Sequence, residues 1–495
     1  MKAPLHGRRP PLDSRPLLDA FLAAVRNDRA PFTVPGHKGR VSRLDGDLGA
    51  VVDGDRPLSG GIDTVKLTGG HLAAAERLAA EHYGADWCRF STGGTTHTNQ
   101  ALCLSVGQPG DVVAVSRSLH RSVLLGLVLA GLKPRWLPTT VDRQSGLPIG
   151  TDVRALEAAL VAKPTPKAVL LTEPGYLGTL SDLPALVAVA HRAGVPVLVD
   201  QAWGAHFGFH PEVPPHALAL GADALVTSVH KMLPGYSQAS LVCARTTRLD
   251  VGRLERAFEA THTTSPAGSI LASIDGALDL MERRGEELLS SVLTLVRETR
   301  ASLRDLLPAS SLPSEATLSH LGEGRFDPTR LLCRLGPAGI DGLLVERMLL
   351  EEGVSLELAD RDTLVPVVTM ADDNESVGRL LGALERALQR VPRAEARPLV
   401  PAASWQVRPD TAMTPRQAFF SAHETVPAEL APGRVSVELV APYPPGIPVL
   451  APGERITAEL LRVLRNLAAE GVRVAFAADP SLESFQVAVE QREQL

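Results

Sequence analysis

The sequence has few cysteines, no long apolar run and no excess of charge of one sign. Its four cysteines, Cys88, Cys103, Cys243 and Cys333, are widely spaced and include no CxxC pair. This spacing argues against a disulfide framework or a structural zinc site and favours a reducing cytoplasm. The longest apolar stretch, residues 123–132, is far shorter than the roughly 20 residues that span a bilayer. The basic first residues lack the apolar segment of a secretory signal, so we expect a cytoplasmic protein without a metal site.

The charge balance and the length further narrow the possible classes of protein. The chain carries 50 Lys and Arg residues against 56 Asp and Glu residues, a net charge of -6. This balance argues against binding to nucleic acid or to a membrane surface. With 44% hydrophobic and 21% charged residues, the composition is that of an ordinary globular protein. A chain of 495 residues is longer than one compact domain usually needs, so we expect two or three domains.

Short apolar runs alternate with helical patterns through the middle of the chain. The strand candidates are residues 112–115, 168–172, 195–200, 224–228 and 239–244. The helix candidates between them include residues 72–83, 120–132, 153–161 and 183–193. Buried strands separated by helices indicate an α/β fold with a parallel or mostly parallel sheet. Ligands bind at the carboxyl ends of the strands in such sheets, so the residues that follow each strand are candidates for a site.

The rest of the chain is organised around this α/β region. Periodicity predicts a helix at 14–26, strands at 331–335 and 364–370, and helices at 340–352, 374–388 and 456–470. An irregular arm rich in Gly and Pro follows the first helix. We therefore expect an N-terminal helix and arm, a major domain, a small α+β domain, a linker and a C-terminal α+β domain, at residues 1–66, 67–310, 311–390, 391–404 and 405–495.

Acidic and basic residues follow two of the predicted strands. The segment DQAWGAH begins at Asp200, at the end of one strand, and the segment SVHK, which ends at Lys231, closes a second. An amine in such a position is a nucleophile if its pKa is lowered. Together the two residues are what a pyridoxal phosphate site requires, because a lysine forms the Schiff base and an acid keeps the pyridine nitrogen protonated. The small Ala202, expected on the same strand face as Asp200, would let a flat ring lie against the backbone.

A second segment, TGGTTHTNQ at residues 92–100, has the composition of an anion site. Glycines followed by hydroxyl side chains at the start of a helix offer N–H and O–H donors to a phosphate, although Thr and Gly also cap helices for structural reasons. The candidate ligands are Gly94, Thr95 and Thr96, and Ser228 could add another hydroxyl. His120, just after the first predicted strand, could stack on a cofactor ring or simply begin a helix.

Six motifs, in this order, resemble those of the Orn/Lys/Arg decarboxylases, enzymes dependent on pyridoxal phosphate (PLP) with the aspartate-aminotransferase-like fold, fold type I. TVPGHKG at 33–39 resembles the family's TPGHKG, GTT followed by NQ at 94–100 resembles GST…NQ, and HRS at 120–122 resembles HKS. DQAW at 200–203 matches D-x-A-[HW], and SVHK at 228–231 matches S-x-HK. PYPPGIP at 442–448 with PGE at 452–454 resembles the corresponding block of the family's C-terminal domain. The resemblance is to the short form, which lacks a receiver-like N-terminal domain.

The resemblance implies roles for individual residues. Lys231 would form the Schiff base with pyridoxal 5'-phosphate, and Asp200 would pair with the pyridine nitrogen. His120 would stack on the ring, His230 would lie beside the phosphate and the reacting carbon, and the phosphate would be held by Thr95, Thr96 and Ser228. The implied reaction is α-decarboxylation of a basic L-amino acid in polyamine biosynthesis, with arginine slightly favoured over lysine and ornithine. His230 or Lys231 would protonate Cα.

Three segments depart from the family pattern. His97 and Thr98 replace a glycine and a serine of the phosphate loop, DTVK at 63–66 stands in place of LDDLH, and EPGYLG at 173–178 in place of P-T-Y-x-G. The last two departures concern the substrate more than the cofactor. A distal cation on the substrate needs an acidic partner, for which the candidates are Asp63, Glu173 and Glu438, each of which could equally be a structural carboxylate.

Two other functions are compatible with the same motifs. A PLP-dependent aminotransferase or lyase could use the same site, with an arginine to clamp a second carboxylate. A catalytically idle relative could act as a binding protein, although it would not need both Lys231 and Asp200. The resemblance also implies a homodimer or higher homo-oligomer with active sites at the subunit interface, where Ser237 and Gln238 could serve the neighbouring site.

Overall fold

A seven-stranded sheet forms the centre of the computed structural model, which describes residues 14–27, 32–40, 46–58, 62, 70–397, 409–443, 446–469 and 471–489. The strands are β1 (Trp87–Ser91), β2 (Val112–Ser116), β3 (Lys133–Leu137), β4 (Thr139–Val141), β5 (Pro148–Thr151), β6 (Val169–Thr172), β7 (Val197–Asp200), β8 (Ala224–Ser228), β9 (Ser240–Ala244), β10 (Cys333–Arg334), β11 (Leu358–Ala359), β12 (Thr363–Val365), β13 (His423–Pro427), β14 (Ala441–Tyr443), β15 (Arg473–Ala475) and β16 (Ser484–Ala488).

Helices connect and cover these strands. They are α1 (Pro16–Asn27), α2 (Gly46–Val52), α3 (His71–His82), α4 (Gly94–Ser105), α5 (Arg121–Ala130), α6 (Val153–Val161), α7 (Leu183–Arg192), α8 (Val229–Met232), α9 (Val251–Thr261), α10 (Gly268–Leu303), α11 (Gly342–Glu351), α12 (Asn374–Arg390), α13 (Pro415–Phe420) and α14 (Ala458–Ala469). Short 3-10 turns lie at Ala309–Ser311, Ser319–Leu321, Gly336–Ala338 and Ala428–Leu430. Among the described helices, none combines the length and apolarity needed to cross a membrane.

The central sheet has the strand order β1-β9-β8-β7-β6-β2-β3. Strand β9 runs antiparallel to both of its neighbours, and the other neighbouring strands pair in parallel. The predicted mostly parallel sheet is therefore confirmed. All residues of β7, β8 and β9 are buried, because helices cover both faces of the sheet.

Two hydrophobic cores lie on the two faces of this sheet. Alternate residues of one strand face opposite sides, so Leu170 and Leu198 pack in one core, with α4, α5 and α9. Val169 and Val197 pack in the other, against α3, α6, α7 and α10. The site described below lies at the edge of the sheet where α4 begins.

The small unit has an antiparallel three-stranded sheet of order β10-β12-β11, covered by α11 and α12. The predicted strands at 331–335 and 364–370 are longer than the observed ones, because most of those apolar residues pack in loops. Helix α10 contributes Leu289 to a core of the central sheet and Val292 to the core of the small unit. One helix thus joins the two units, while the domain boundaries themselves stay predictions; residues 398–404 of the predicted linker lie outside the described ranges.

The C-terminal unit is joined to the central sheet by a buried ion pair. Arg117, directly after β2, binds both carboxylate oxygens of Glu454, at 2.6 and 2.8 Å, and donates to the carbonyl of Pro448 at 2.8 Å. The N–H of Ala451 donates to Glu454 at 2.7 Å. The PGE motif at 452–454 therefore anchors the C-terminal unit, which also contains β14, the strand that pairs with β15 and ends at Tyr443.

Candidate active site

The residues predicted to bind a cofactor meet at the carboxyl ends of β7 and β8. Asp200 is the last residue of β7, and Ser228 is the last residue of β8. The predicted strand at 224–228 has the observed bounds, and Val229–Met232 forms the single helical turn α8 directly after it. This turn places the half-buried Lys231 beside the end of β7 instead of along the sheet.

Asp200 is buried and held by two donors. The side-chain amide of Asn99 donates to Asp200 Oδ2 at 2.8 Å, and the N–H of Ala202 donates to Oδ1 at 3.2 Å. Asn99 also donates to Ser122 Oγ at 3.0 Å. A buried carboxylate is costly unless it is hydrogen-bonded, so these donors compensate for its burial and fix its direction.

Ala202 lies in a turn and not on a strand face. Strand β7 stops at Asp200, and the N–H of Gly204 donates to the carbonyl of Gln201 at 2.9 Å, which closes the turn. The predicted strand position of Ala202 is therefore wrong. The residue contributes its backbone N–H to Asp200, and its small side chain is half-buried.

The phosphate-loop candidates form the first turn of α4. Thr95 Oγ1 lies 3.2 Å from Ser228 Oγ, so the loop and the end of β8 meet through their hydroxyls. Gly94 has φ +65 with no atom within 4 Å of where a Cβ would stand, and its N–H donates to the carbonyl of Gln238 at 2.9 Å. Thr96 is exposed. The helix therefore begins with open space at Gly94, next to the hydroxyls of Thr95 and Ser228.

His97, one of the departures from the family pattern, supports this loop through two hydrogen bonds. Its Nε2 lies 3.0 Å from the carbonyl of Phe258, and its Nδ1 lies 2.7 Å from Ser91 Oγ. Because a carbonyl only accepts, Nε2 carries the proton and Nδ1 accepts from Ser91, whose oxygen accepts the N–H of Gly93 at 3.0 Å. Burial lowers the pKa of His97 to about 4, so the ring stays neutral, as these bonds require.

Lys231 lies against an aromatic ring and beside opposing charges. Its Nζ is 4.4 Å from the centre of the Trp203 ring. Burial lowers the pKa of Lys231, while the negative charges of Asp200 and Glu357 oppose that shift. The nearby cation of Arg330, whose Cζ is 4.6 Å from the same ring, lowers the pKa further. A lysine with a lowered pKa is available as a neutral nucleophile.

The two predicted histidines flank this lysine. His120 directly precedes α5 and is exposed. Its Nδ1 lies 2.8 Å from Ser122 Oγ. Desolvation lowers the pKa of His120, and the charge of Asp200 opposes that shift. His230 Nδ1 lies 2.9 Å from the carbonyl of Ala239, and burial lowers the pKa of this ring as well.

The predicted substrate carboxylates have structural hydrogen bonds instead. The buried Glu173 accepts the N–H of Ser181 on both oxygens, at 3.1 and 3.0 Å, and burial raises its pKa to about 7. Glu438, also buried, accepts the N–H groups of Ala478 and Gln486 at 2.7 and 2.9 Å, within the C-terminal unit. Asp63 lies outside the described residues.

Further residues, which the sequence did not single out as site candidates, surround the Trp203 ring that Lys231 contacts. The Tyr176 ring meets the Trp203 ring edge-on at 5.4 Å, and its hydroxyl donates to Glu357 Oε1 at 3.3 Å. Tyr443 of β14 has its ring centre 6.3 Å from that of Tyr176. Arg330 is buried, and its Nε and Nη2 have no hydrogen-bond partner.

Some of these residues carried a sequence signal and some did not. Asn99 stands four residues after Thr95, so both belong on one face of α4, and Trp203 and Tyr443 lie inside quoted motifs. Glu357 and Arg330 lie in no motif, and nothing in their local pattern points to the site.

Comparisons with known proteins identify the relatives of this chain. Residues 15–315 match the model of the Orn/Lys/Arg decarboxylase major domain, and residues 400–473 match that of the Orn/Lys/Arg decarboxylase C-terminal domain. An arginine decarboxylase of Bacillus subtilis is 32% identical over 96% of this chain and 98% of its own length. The lysine decarboxylase LdcA of Pseudomonas aeruginosa is 25% identical over 95% of this chain and 77% of its own.

The fold has solved counterparts as well. The crystal structure of the Francisella novicida lysine decarboxylase LdcF superposes with a TM-score of 0.78 at 19% identity, covering 96% of this chain and 81% of that one. The architecture is that of the fold type I enzymes, as predicted. The chain belongs to the Orn/Lys/Arg decarboxylase family, and the predicted enzyme class, a decarboxylase of basic amino acids, is confirmed.

Proposed function

We propose that this protein binds pyridoxal 5'-phosphate and removes CO2 from the α-carbon of L-arginine. The observation that carries the proposal is the meeting of Lys231, the fixed carboxylate of Asp200 and the open start of α4 at one edge of the sheet. Family membership supports the reaction, and the similarity to arginine decarboxylases over nearly the whole chain supports the substrate.

The donor set fits this cofactor. The first turn of α4, with the hydroxyls of Thr95 and Ser228, offers O–H donors and the positive end of a helix to a phosphate. Each oxygen of Asp200 accepts one hydrogen bond in the chain and has a lone pair left for a protonated pyridine nitrogen. The half-buried Lys231 provides the amine that binds the carbonyl, and His120 provides a flat ring at the edge of the site.

Bound pyridoxal phosphate would supply an electron-withdrawing ring that accepts the electron pair released when the bond from Cα to the carboxylate breaks. Asp200 holds the proton on the ring nitrogen, because Asn99 and Ala202 keep its negative charge aimed and in place. A preorganised charge in a site with little water stabilises developing charge far more than the same charge in solution.

The proton that returns to Cα is best assigned to Lys231. The carbonyl of Ala239 only accepts, so His230 Nδ1 carries its proton toward that carbonyl. The lowered pKa of His230 keeps Nε2 unprotonated near neutral pH. His230 Nε2 is thus an acceptor, whereas Nζ of Lys231 can hold a proton and release it.

We also propose a homodimer and a cytoplasmic location. Ser237 and Gln238 are exposed beside the phosphate loop, which suits residues that meet a second subunit. All four cysteines are buried and unpaired, which suits a reducing compartment. Sedimentation of the purified protein would test the dimer.

The test combines a spectrum and an assay. The purified protein should show the visible absorption of bound pyridoxal phosphate, and Lys231→Ala should lose that band because the amine that binds the carbonyl is gone. Release of CO2 should be measured from arginine, lysine and ornithine, with the highest kcat/KM expected for arginine.

The outcomes separate the parts of the proposal. A visible band without CO2 release from any of the three amino acids would support cofactor binding but overturn the proposed decarboxylation. An unchanged band in Lys231→Ala would overturn the role of that lysine, and a preference for lysine or ornithine would overturn the substrate.

A further inference from the structure

The distal cation of a basic substrate needs an acidic partner. Asp200 is held by Asn99 and Ala202, Glu173 and Glu438 are occupied by backbone N–H groups, and Asp63 lies outside the described residues. A substrate guanidinium that leaves water without a counter-charge is bound weakly. Another carboxylate near Lys231 is therefore expected.

Glu357 lies where such a carboxylate is needed. It directly precedes β11 of the small unit and is exposed. The hydroxyl of Tyr176 donates to its Oε1 at 3.3 Å, and the Tyr176 ring meets the Trp203 ring, which in turn contacts Nζ of Lys231. Two aromatic rings thus separate the reactive amine from the carboxylate, and the carboxylate faces the solvent side of the site.

The charge of Glu357 acts on the site without being neutralised by a close partner. It opposes the lowering of the pKa of Lys231 and of Arg330, so its field reaches both cations. Among the ion pairs between described residues, none includes Glu357, and its hydrogen bond comes from a neutral phenol. Its second oxygen is available to a cation.

The aromatic rings beside Glu357 suit a guanidinium. Trp203 already carries two cations within 4.6 Å of its ring centre, Nζ of Lys231 and Cζ of Arg330. Tyr176 extends the aromatic surface from there to Glu357, and Tyr443 lies beside Tyr176. Planar guanidinium groups stack on such faces and pair bidentately with carboxylates.

We propose that Glu357 binds the distal guanidinium of the substrate arginine, with Tyr176 orienting the carboxylate and Tyr443 contributing an aromatic wall from the C-terminal unit. This inference rests on the proposed function, because it assigns the far end of the same substrate. It makes Glu357 the residue that distinguishes a cationic side chain from a neutral one.

The experiment compares arginine with citrulline, whose uncharged urea group has nearly the shape of the guanidinium. Glu357→Gln should lower kcat/KM for arginine at least about tenfold, the loss expected for a hydrogen bond to a charged group, and should leave citrulline unchanged. Glu351→Gln, at the exposed end of α11 in the same unit, is the matched control. The cofactor spectrum should be the same in all three proteins.

A binding measurement gives a readout independent of turnover. Agmatine, the decarboxylated product, keeps the guanidinium, and calorimetry should show it binding at least about tenfold more weakly to Glu357→Gln than to the unmodified protein. Equal agmatine binding, or equal losses with arginine and citrulline, would overturn the assignment. If the unmodified protein decarboxylates no basic amino acid, the proposed function is wrong. The agmatine comparison would then still test whether Glu357 binds the guanidinium.

Discussion

The proposed cofactor side and the proposed substrate side of the site are assembled from different kinds of segment. On the cofactor side, Asp200, Ser228 and Lys231 follow neighbouring strands, and Thr95 opens the helix packed beside them. On the substrate side, Tyr176, Glu357 and Tyr443 come from the central sheet region, the small unit and the C-terminal unit. The first side depends on the local geometry of one sheet, and the second depends on how three units pack together.

The difference gives the two sides different sensitivities. A change on the cofactor side should alter chemistry and cofactor binding without altering the packing of the units. A change at a contact between units should alter substrate affinity before it alters the cofactor. Three substitutions test this comparison, beginning with the largest expected effect.

Asp200→Asn should lower kcat at least about a hundredfold, since it removes a preorganised charge from the reacting centre. The amide has nearly the same shape, so the unfolding midpoint should stay close to that of the unmodified protein. Steady-state kinetics with arginine and a thermal unfolding curve would measure both quantities. Activity within a few-fold of the unmodified protein would show that the carboxylate is not part of the chemistry.

Glu454→Gln should cost about 3 kcal/mol of unfolding free energy, because it leaves the buried Arg117 without its counter-charge. The same change loosens the unit that carries Tyr443, so KM for arginine should rise while the cofactor spectrum is kept. Urea unfolding and kinetics on one preparation would report both. Loss of the cofactor spectrum together with the rise in KM would contradict the separation of the two sides.

Glu173→Gln should have the smallest effect on catalysis, with KM for arginine within about twofold, because the side chain serves Ser181 and not the substrate. Its effect should appear in stability against pH. The pKa of Glu173 is raised to about 7 from an unfolded value near 4.5, so the folded state binds more protons and stability falls as pH rises through this interval.

Over the interval from about pH 5 to about pH 8, this carboxyl should cost the unmodified protein about 2 kcal/mol, and the glutamine variant should lack that slope. Urea unfolding at the two pH values would measure it. A tenfold rise of KM in Glu173→Gln would instead show that Glu173 contributes to substrate binding.

The sequence predicted the elements that carry Asp200, Ser228 and Lys231 closely, because the apolar periodicity and the short motifs coincide there. Strand β8 and helix α6 have the predicted bounds, and the strand and helix candidates of the central sheet differ from the observed ones by a few residues at their ends. Ala202 was misplaced, because an apolar run does not reveal where a strand gives way to a tight turn.

The substrate side could not be predicted in the same way. Glu173 and Glu438 were chosen as acids near motifs, yet each meets backbone N–H groups that the sequence does not position. On the cofactor side too, the role of His97 could not be predicted, because only its bonds to Ser91 and Phe258 show that it supports the phosphate loop. Glu357 lies far along the chain from Tyr176, and no local pattern links them.

The sequence by itself determined the α/β class, the family, and the lysine, carboxylate and phosphate-loop candidates, because strand periodicity and short motifs are properties of contiguous residues. The tertiary structure alone decided which carboxylates are buried in backbone hydrogen bonds and which one faces the site. Burial and hydrogen bonding depend on segments that are remote in the chain, and these two quantities determine whether a carboxylate is free to meet a cation.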